Sequence, residues 1–169
     1  MKRLILMRHA KAERHSPDGD DKSRPLHRKG HSDADKIGGF LQEMGVLPSL
    51  IIHSTAERTK ETAWTVCAHL APQPMTEGLD SLYLATSDSL LQAIRQTEAT
   101  VETLMVVGHN PGIADLTLSM IGGATGDVST AEIMAFPTAA LAIIDLPVDD
   151  WSQTRSGELF RFKIAQDIL

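Results

Sequence analysis

The sequence predicts an α/β fold: a three-layer α/β/α sandwich with a mostly parallel mixed sheet and at least one antiparallel edge strand. Three observations predict it. Short apolar runs alternate with stretches of helical periodicity from the N-terminus to Ile121; glycine, proline and polar clusters punctuate the changes; and the last third turns to strand-like runs. Strand–helix alternation implies right-handed βαβ crossovers, and hence parallel strands covered by helices on both faces.

Taken in order, residues 3–7 form an apolar run too short for a helix and read as a buried central strand. Ser16-Pro17-Asp18-Gly19-Asp20-Asp21 is a polar loop. Residues 30–44 read as a helix, because Ala34, Ile37, Phe40, Leu41 and Met44 share one face and Gly45 stops it. A second strand spans 50–53. The following helix carries Thr62, Val66 and Leu70 at helical spacing, and Ser54 with Glu57 has the spacing of a capping box at its start. Residues 87–97 are helical with Leu90, Leu91 and Ile94 inward, 104–107 form another buried strand, and 111–121 another helix, with Asn110 as N-cap and Pro111 in the first turn. Residues 132–136, 140–146 and 160–164 read as strands joined by Pro137-Thr138 and by a polar stretch at 149–157, and two of them suit a hairpin. Gly122-Gly123-Ala124-Thr125-Gly126-Asp127 lacks the Lys-Ser/Thr ending of a P-loop and reads as a connection.

At 169 residues the chain suits one domain, with enough length to bury a core. A net charge of -6 argues against broad nucleic-acid binding, which needs basic surface. No apolar run approaches the roughly 20 residues of a membrane span. Cys67 is the sole cysteine, which excludes an intramolecular disulfide and suits a reducing cytoplasm; its helical setting makes it a small core residue. His27 and His31 stand four apart, but no third ligand of the H-E-x-x-H type accompanies them and Gly30 weakens a helix there, so an exposed face rather than a metal site is expected.

The chemistry concentrates at strand ends. His9 follows Met7-Arg8, and His109 follows Val106-Val107-Gly108, so two imidazoles leave two strands where open α/β sheets bind ligands. Arg58 lies near the first turn of the helix after the second strand, where backbone N–H groups already favour an anion. With Arg8 it offers two guanidinium forks that match pairs of phosphate oxygens. The pattern describes an enzyme acting on phosphate.

Arg8-His9, the segment from Ser54 to Thr62 with its Arg58, and Gly108-His109-Asn110-Pro111-Gly112 resemble the histidine phosphatase, or phosphoglycerate mutase-like, superfamily. Arg24-Pro25-Leu26-His27-Arg28-Lys29-Gly30 and the short chain resemble its SixA-type phosphohistidine phosphatases. The resemblance runs from about Lys2 to at least Asp145. It implies that His9 attacks phosphorus to form a phosphohistidine that water hydrolyses, while Arg8, Arg58 and His109 hold the phosphoryl oxygens. Arg24 is expected near the pocket as a further phosphate contact. Lys11, Arg14 and His15 are expected as solvated charges on the rim. Relatives that cleave esters carry a carboxylate acid between the Arg58 and His109 positions; Asp80 is the candidate here and Glu77 the second choice.

The implied substrate is protein phosphohistidine on a phosphotransfer domain, because the short interval from Arg58 to His109 leaves little room for a cap over the pocket. A small phosphate ester is the alternative, with a mutase or a non-catalytic phosphate-binding module further behind. No metal or other cofactor is called for, since the arginines supply the cationic charge. A cytoplasmic monomer is expected.

Overall fold

The computed structural model describes residues 1–122 and 126–169. Its strands are β1 (Lys2–Arg8), β2 (Leu50–Ser54), β3 (Met75–Leu79), β4 (Thr103–Gly108), β5 (Leu141–Leu146) and β6 (Glu158–Lys163). Its helices are α1 (Arg28–Met44), α2 (Glu57–Cys67), α3 (Ser87–Arg95), α4 (Gly112–Ile121) and α5 (Thr130–Ala135). The strands form one sheet in the order β3-β2-β4-β1-β5-β6. The four strands from β3 to β1 run parallel; β5 is antiparallel to β1, and β6 closes the edge antiparallel to β5.

Period-two alternation splits the central strands between two cores. Leu4, Leu6, Ile52, Leu104 and Val106 pack under α3, α4 and α5, against Leu90, Ile94, Leu116 and Ile133. Ile5, Met7, Ile51, Met105 and Val107 face the other way, onto Ala34, Ile37 and Leu41 of α1 and Ala63 and Val66 of α2. Fully burying such a side chain contributes about 1.5–3 kcal/mol, so a sheet covered on both sides holds the strand ends rigidly. The predicted sandwich with its antiparallel edge strand is the observed architecture.

Register places the site. Met7 pairs with Val107 and Arg8 with Gly108, so the next residues, His9 and His109, leave adjacent parallel strands side by side. His53 also pairs with Val107, which brings Ser54 to the same edge.

Several elements differ from the sequence expectation. Residues 132–136, read as a strand, belong to α5, because Ser129 accepts from the Glu132 N–H and Glu132 accepts from the Ser129 N–H in a complete capping box. The predicted Ser54–Glu57 box is not formed: α2 starts at Glu57 with Ala56 as its N-cap, and the Ser54 hydroxyl is engaged elsewhere. Asn110 is not the N-cap of α4; Pro111 is, and the Asn110 amide donates instead to the Phe136 carbonyl at 3.0 Å. Strand β3 was not anticipated, since Met75-Thr76-Glu77-Gly78-Leu79 is an exposed edge without apolar alternation. Leu91 is only partly buried against its core, whereas Leu90 and Ile94 are fully enclosed. Of the glycine-rich connection 122–127, residues 123–125 lie outside the described residues. Cys67 is buried.

The loop after His9 is pinned to α1. His27 donates its backbone N–H to the Lys11 carbonyl at 2.8 Å, and a Cβ on Gly30 would stand 2.1 Å from that same oxygen. Only glycine permits this approach, which explains a helix-weakening residue in the first turn.

Candidate active site

His9 is 8% exposed at the end of β1. Its Nδ1 lies 2.8 Å from the Ala10 carbonyl, which can only accept, so Nδ1 carries the proton and Nε2 keeps its lone pair. The Ala10 N–H donates to Thr62 Oγ1 at 3.0 Å, fixing this turn to α2. Burial pulls the His9 pKa down to about 4; the Ala10 carbonyl opposes that, and Arg58, Arg8 and Arg24 add to it. At pH 7 the side chain is a neutral imidazole with an available Nε2.

His109 sits beside it, with ring centroids 5.4 Å apart. Its Nε2 is 2.8 Å from Ser54 Oγ, and its Nδ1 is buried without a partner. Burial first, then His9 and Arg58, pushes its pKa down to about 3. The Tyr83 ring meets it edge-on at 5.6 Å.

Arg8 and Arg58 are each held from one side. Arg8 Nη1 donates to the Phe136 carbonyl at 3.1 Å, the same oxygen that orients Asn110. Phe136 has a φ of 32°, an uncommon conformation for a bulky residue, and it turns its carbonyl toward both. Arg58, in the first turn of α2 and 2% exposed, donates from Nη1 to the Asp21 carbonyl at 2.8 Å and from Nη2 to Asp21 Oδ2 at 3.0 Å. Asp21 also accepts from the Tyr83 hydroxyl at 2.5 Å and from Arg24 Nε at 3.0 Å. The Tyr83 hydroxyl, then Arg58 and Arg24, holds its carboxyl down at about 2.

Among the described residues, the buried side-chain nitrogens and oxygens without a partner are Arg8 Nε, Arg58 Nε, His109 Nδ1 and Asn110 Oδ1. Leaving a buried donor unpaired costs about 1–3 kcal/mol. Three of the four, Arg8 Nε, Arg58 Nε and His109 Nδ1, are nitrogens on the side chains around one neutral imidazole, and the two guanidinium N–H groups suit the oxygens of an oxyanion.

The predicted residues separate into two groups. His9, Arg8, Arg58 and His109 come together. Arg24 joins them through Asp21, and its Nη1 is tied to the Glu13 carbonyl at 2.8 Å. Asp80 stands exposed on the turn after β3, accepting from Thr55 Oγ1 at 2.5 Å and Lys22 Nζ at 3.2 Å. Those partners, Thr55 first, hold its carboxyl below the usual range. Glu77 lies exposed on the edge strand β3. Lys11, Arg14 and His15 are exposed on the loop after His9. His27 caps α1, its Nδ1 accepting from the Lys29 N–H at 3.0 Å, and among the described residues no three potential ligands cluster as a metal site. Sequence reasoning missed Asp21, Tyr83 and the second role of Ser54. The signals were slight: Asp21 stands three residues before Arg24, and Tyr83 is the sole tyrosine.

Burial of both imidazoles in neutral form sets a pH dependence. In the unfolded chain each titrates near 6.5, but in the fold only at about 4 and about 3. Between those limits the unfolded state binds more protons, so stability rises with pH and is lost as pH falls from 6.5. Histidine NMR titrations are expected to place both midpoints below about pH 5, and denaturant unfolding to show a loss of stability between about pH 6.5 and 4.5. Midpoints near the ordinary value would contradict the burial.

Two imidazoles and two guanidiniums gather at the carboxyl edge of the parallel strands, where open α/β sheets bind ligands. The chain belongs to the histidine phosphatase superfamily (branch 1), whose family model matches residues 4–98. An uncharacterised protein of Mycobacterium tuberculosis is 30% identical over 154 residues, 89% of this chain and 93% of that one. An uncharacterised chloroplastic protein of Arabidopsis thaliana is 34% identical over 138 residues, 76% of this chain and 63% of that one. Among solved structures, a candidate phosphohistidine phosphatase SixA of Agrobacterium tumefaciens superposes with a TM-score of 0.77 at 28% identity, covering 96% of this chain and 97% of that one. The protein histidine phosphatase SixA complexed with tungstate shares the fold at a TM-score of 0.79 and 21% identity, covering 98% of each chain. The fold and family make this chain a phosphatase.

Proposed function

We propose that the protein removes phosphate from protein phosphohistidine, with His9 as the nucleophile. His9 Nε2 attacks phosphorus in line, the substrate's N–P bond breaks, and its imidazole leaves as a neutral ring after protonation. Water then attacks the phosphohistidine on His9, releasing inorganic phosphate and restoring Nε2. Arg8, Arg58 and His109 donate to the equatorial oxygens in both steps, Arg24 supports Arg58 through Asp21, and no metal is needed. The observation that carries this reading is the set of buried nitrogens without a partner, Arg8 Nε, Arg58 Nε and His109 Nδ1, around a neutral His9 whose Nδ1 is engaged with the Ala10 carbonyl and whose Nε2 keeps its lone pair. The candidate SixA of A. tumefaciens, matched over nearly its whole length, supports the substrate class.

The carboxylates favour an N–P substrate over an ester. An alkoxide leaving group needs a proton donor, whereas an imidazole is protonated readily near neutral pH and departs without a dedicated acid. Asp21 is held at about 2 by Tyr83, Arg58 and Arg24, and Asp80 is lowered by Thr55 and Lys22, so both are ionised at pH 7. Neither is poised as an acid.

The test compares kcat/KM on a phosphohistidine-bearing phosphotransfer domain with that on an alkyl phosphomonoester, for the wild type and Asp80→Asn. The protein substrate is expected to be preferred by roughly 100-fold or more, the scale of a general acid, with the variant unchanged on it. Efficient alkyl ester hydrolysis that Asp80→Asn reduces by a similar factor would instead identify a small-molecule phosphomonoesterase.

A further inference from the structure

Ser54 is the residue the local structure does not account for by secondary structure alone. It is fully buried at the end of β2, and its hydroxyl is not the helix cap that its spacing predicts. The Ala56 N–H donates to Oγ at 3.1 Å, which occupies one of its two lone pairs. Thr59 Oγ1 stands 2.9 Å away, and the same Thr59 hydroxyl reaches the carbonyls of Ser54 at 2.8 Å and Ala56 at 2.9 Å. The remaining neighbour is His109 Nε2 at 2.8 Å.

The single hydroxyl hydrogen of Ser54 thus has two places to go, Thr59 Oγ1 or His109 Nε2. An sp² imidazole nitrogen is the stronger acceptor, and Thr59 has carbonyls for its own hydrogen. Donation to Nε2 leaves the His109 hydrogen on Nδ1, the buried atom without a partner among the described residues. The opposite tautomer would turn a lone pair toward the pocket, against the oxygens of any bound phosphate. It would also let Nδ1 accept from an arginine N–H and so consume a donor.

We propose that Ser54 is a positioning residue that sets His109 in its Nδ1–H tautomer, making the ring a phosphate donor rather than a competitor for the arginines. The proposal rests on His109 as a phosphate ligand, but not on the identity of the phosphorylated substrate. Without the Ser54 hydroxyl, the neighbouring guanidiniums favour a lone pair on Nδ1, and the proton moves to Nε2.

The tautomer is read directly from the ¹⁵N shifts and two-bond couplings of the His109 ring in the ligand-free protein at pH 7. The wild type is expected to show Nδ1–H. Ser54→Ala is expected to show a predominant Nε2–H form and to bind inorganic phosphate roughly tenfold more weakly, the effect of about one lost hydrogen bond; Ser54→Thr, which keeps the hydroxyl, restores the wild-type pattern. A wild-type His109 with Nε2–H, or an unchanged tautomer in Ser54→Ala, overturns the assignment. If Ser54→Ala does not fold, Ser54→Gly, which removes the hydroxyl with no added bulk, carries the same comparison. Failure to hydrolyse phosphohistidine would sink the proposed substrate and leave this tautomer measurement intact, so the two failures are distinguishable.

Discussion

His9→Ala is expected to abolish both the phosphoryl-enzyme and turnover, with a loss of roughly 10⁴-fold or more in kcat, the scale seen when a covalent nucleophile is removed. The expectation follows from the neutral Nε2, which burial and three arginines keep unprotonated at pH 7 and which the Nδ1 bond to Ala10 aims away from the backbone. Arg8, Arg58 and His109 remain in the variant, so phosphate binding should survive within a few fold while chemistry does not. The measurement is labelling with a ³²P-phosphohistidine protein quenched in alkaline detergent, where the N–P bond survives, alongside phosphate release and a binding titration with inorganic phosphate. Near wild-type release by His9→Ala would remove the covalent step from the mechanism.

This site was readable in the sequence because the sheet register follows from local patterning. Each of His9 and His109 stands directly after a short apolar run, and two such runs pair in parallel when both faces must be buried; their ends then coincide. Arg58 was legible from its place in the first turn of a helix that follows a strand. The partners of these groups were not. Asp21 reaches Arg58 from a polar loop 37 residues earlier, and no periodicity encodes a loop's path. Ser54 was misread because S-x-x-E describes a helix cap only when the serine adjoins the first turn; here Thr55 and Ala56 intervene and the hydroxyl turns toward His109 instead. At residues 132–136 the same cap pattern was present and decisive, starting at Ser129, but apolar Ile133, Met134 and Phe136 suggested a strand. In six residues the two periods are hard to tell apart, and the cap determines the outcome.

Arg58→Lys is expected to lower kcat/KM on phosphohistidine by about 10²–10³-fold, comparable with the loss of one oxyanion donor. A conservative change of charge is not conservative here, because of how the guanidinium is divided. Nη1 and Nη2 each spend one N–H on the Asp21 carbonyl and carboxylate at 2.8 and 3.0 Å, and Nε is a buried donor with no partner among the described residues. A lysine ammonium is a point charge on a flexible stem and cannot occupy the two Asp21 acceptors while presenting a third donor from a fixed plane. If it follows Asp21, the phosphoryl group loses its contact; if it turns to phosphate, Asp21 retains only Tyr83 and Arg24 among its present side-chain partners. In either case the trigonal transition state, whose three equatorial oxygens the fixed donors are placed to meet, suffers most, so kcat should fall with KM changed less. Retained helix content in circular dichroism would separate this from unfolding. A variant with kcat/KM within twofold of the wild type would show that Arg58 serves the Asp21 loop and not the phosphoryl group.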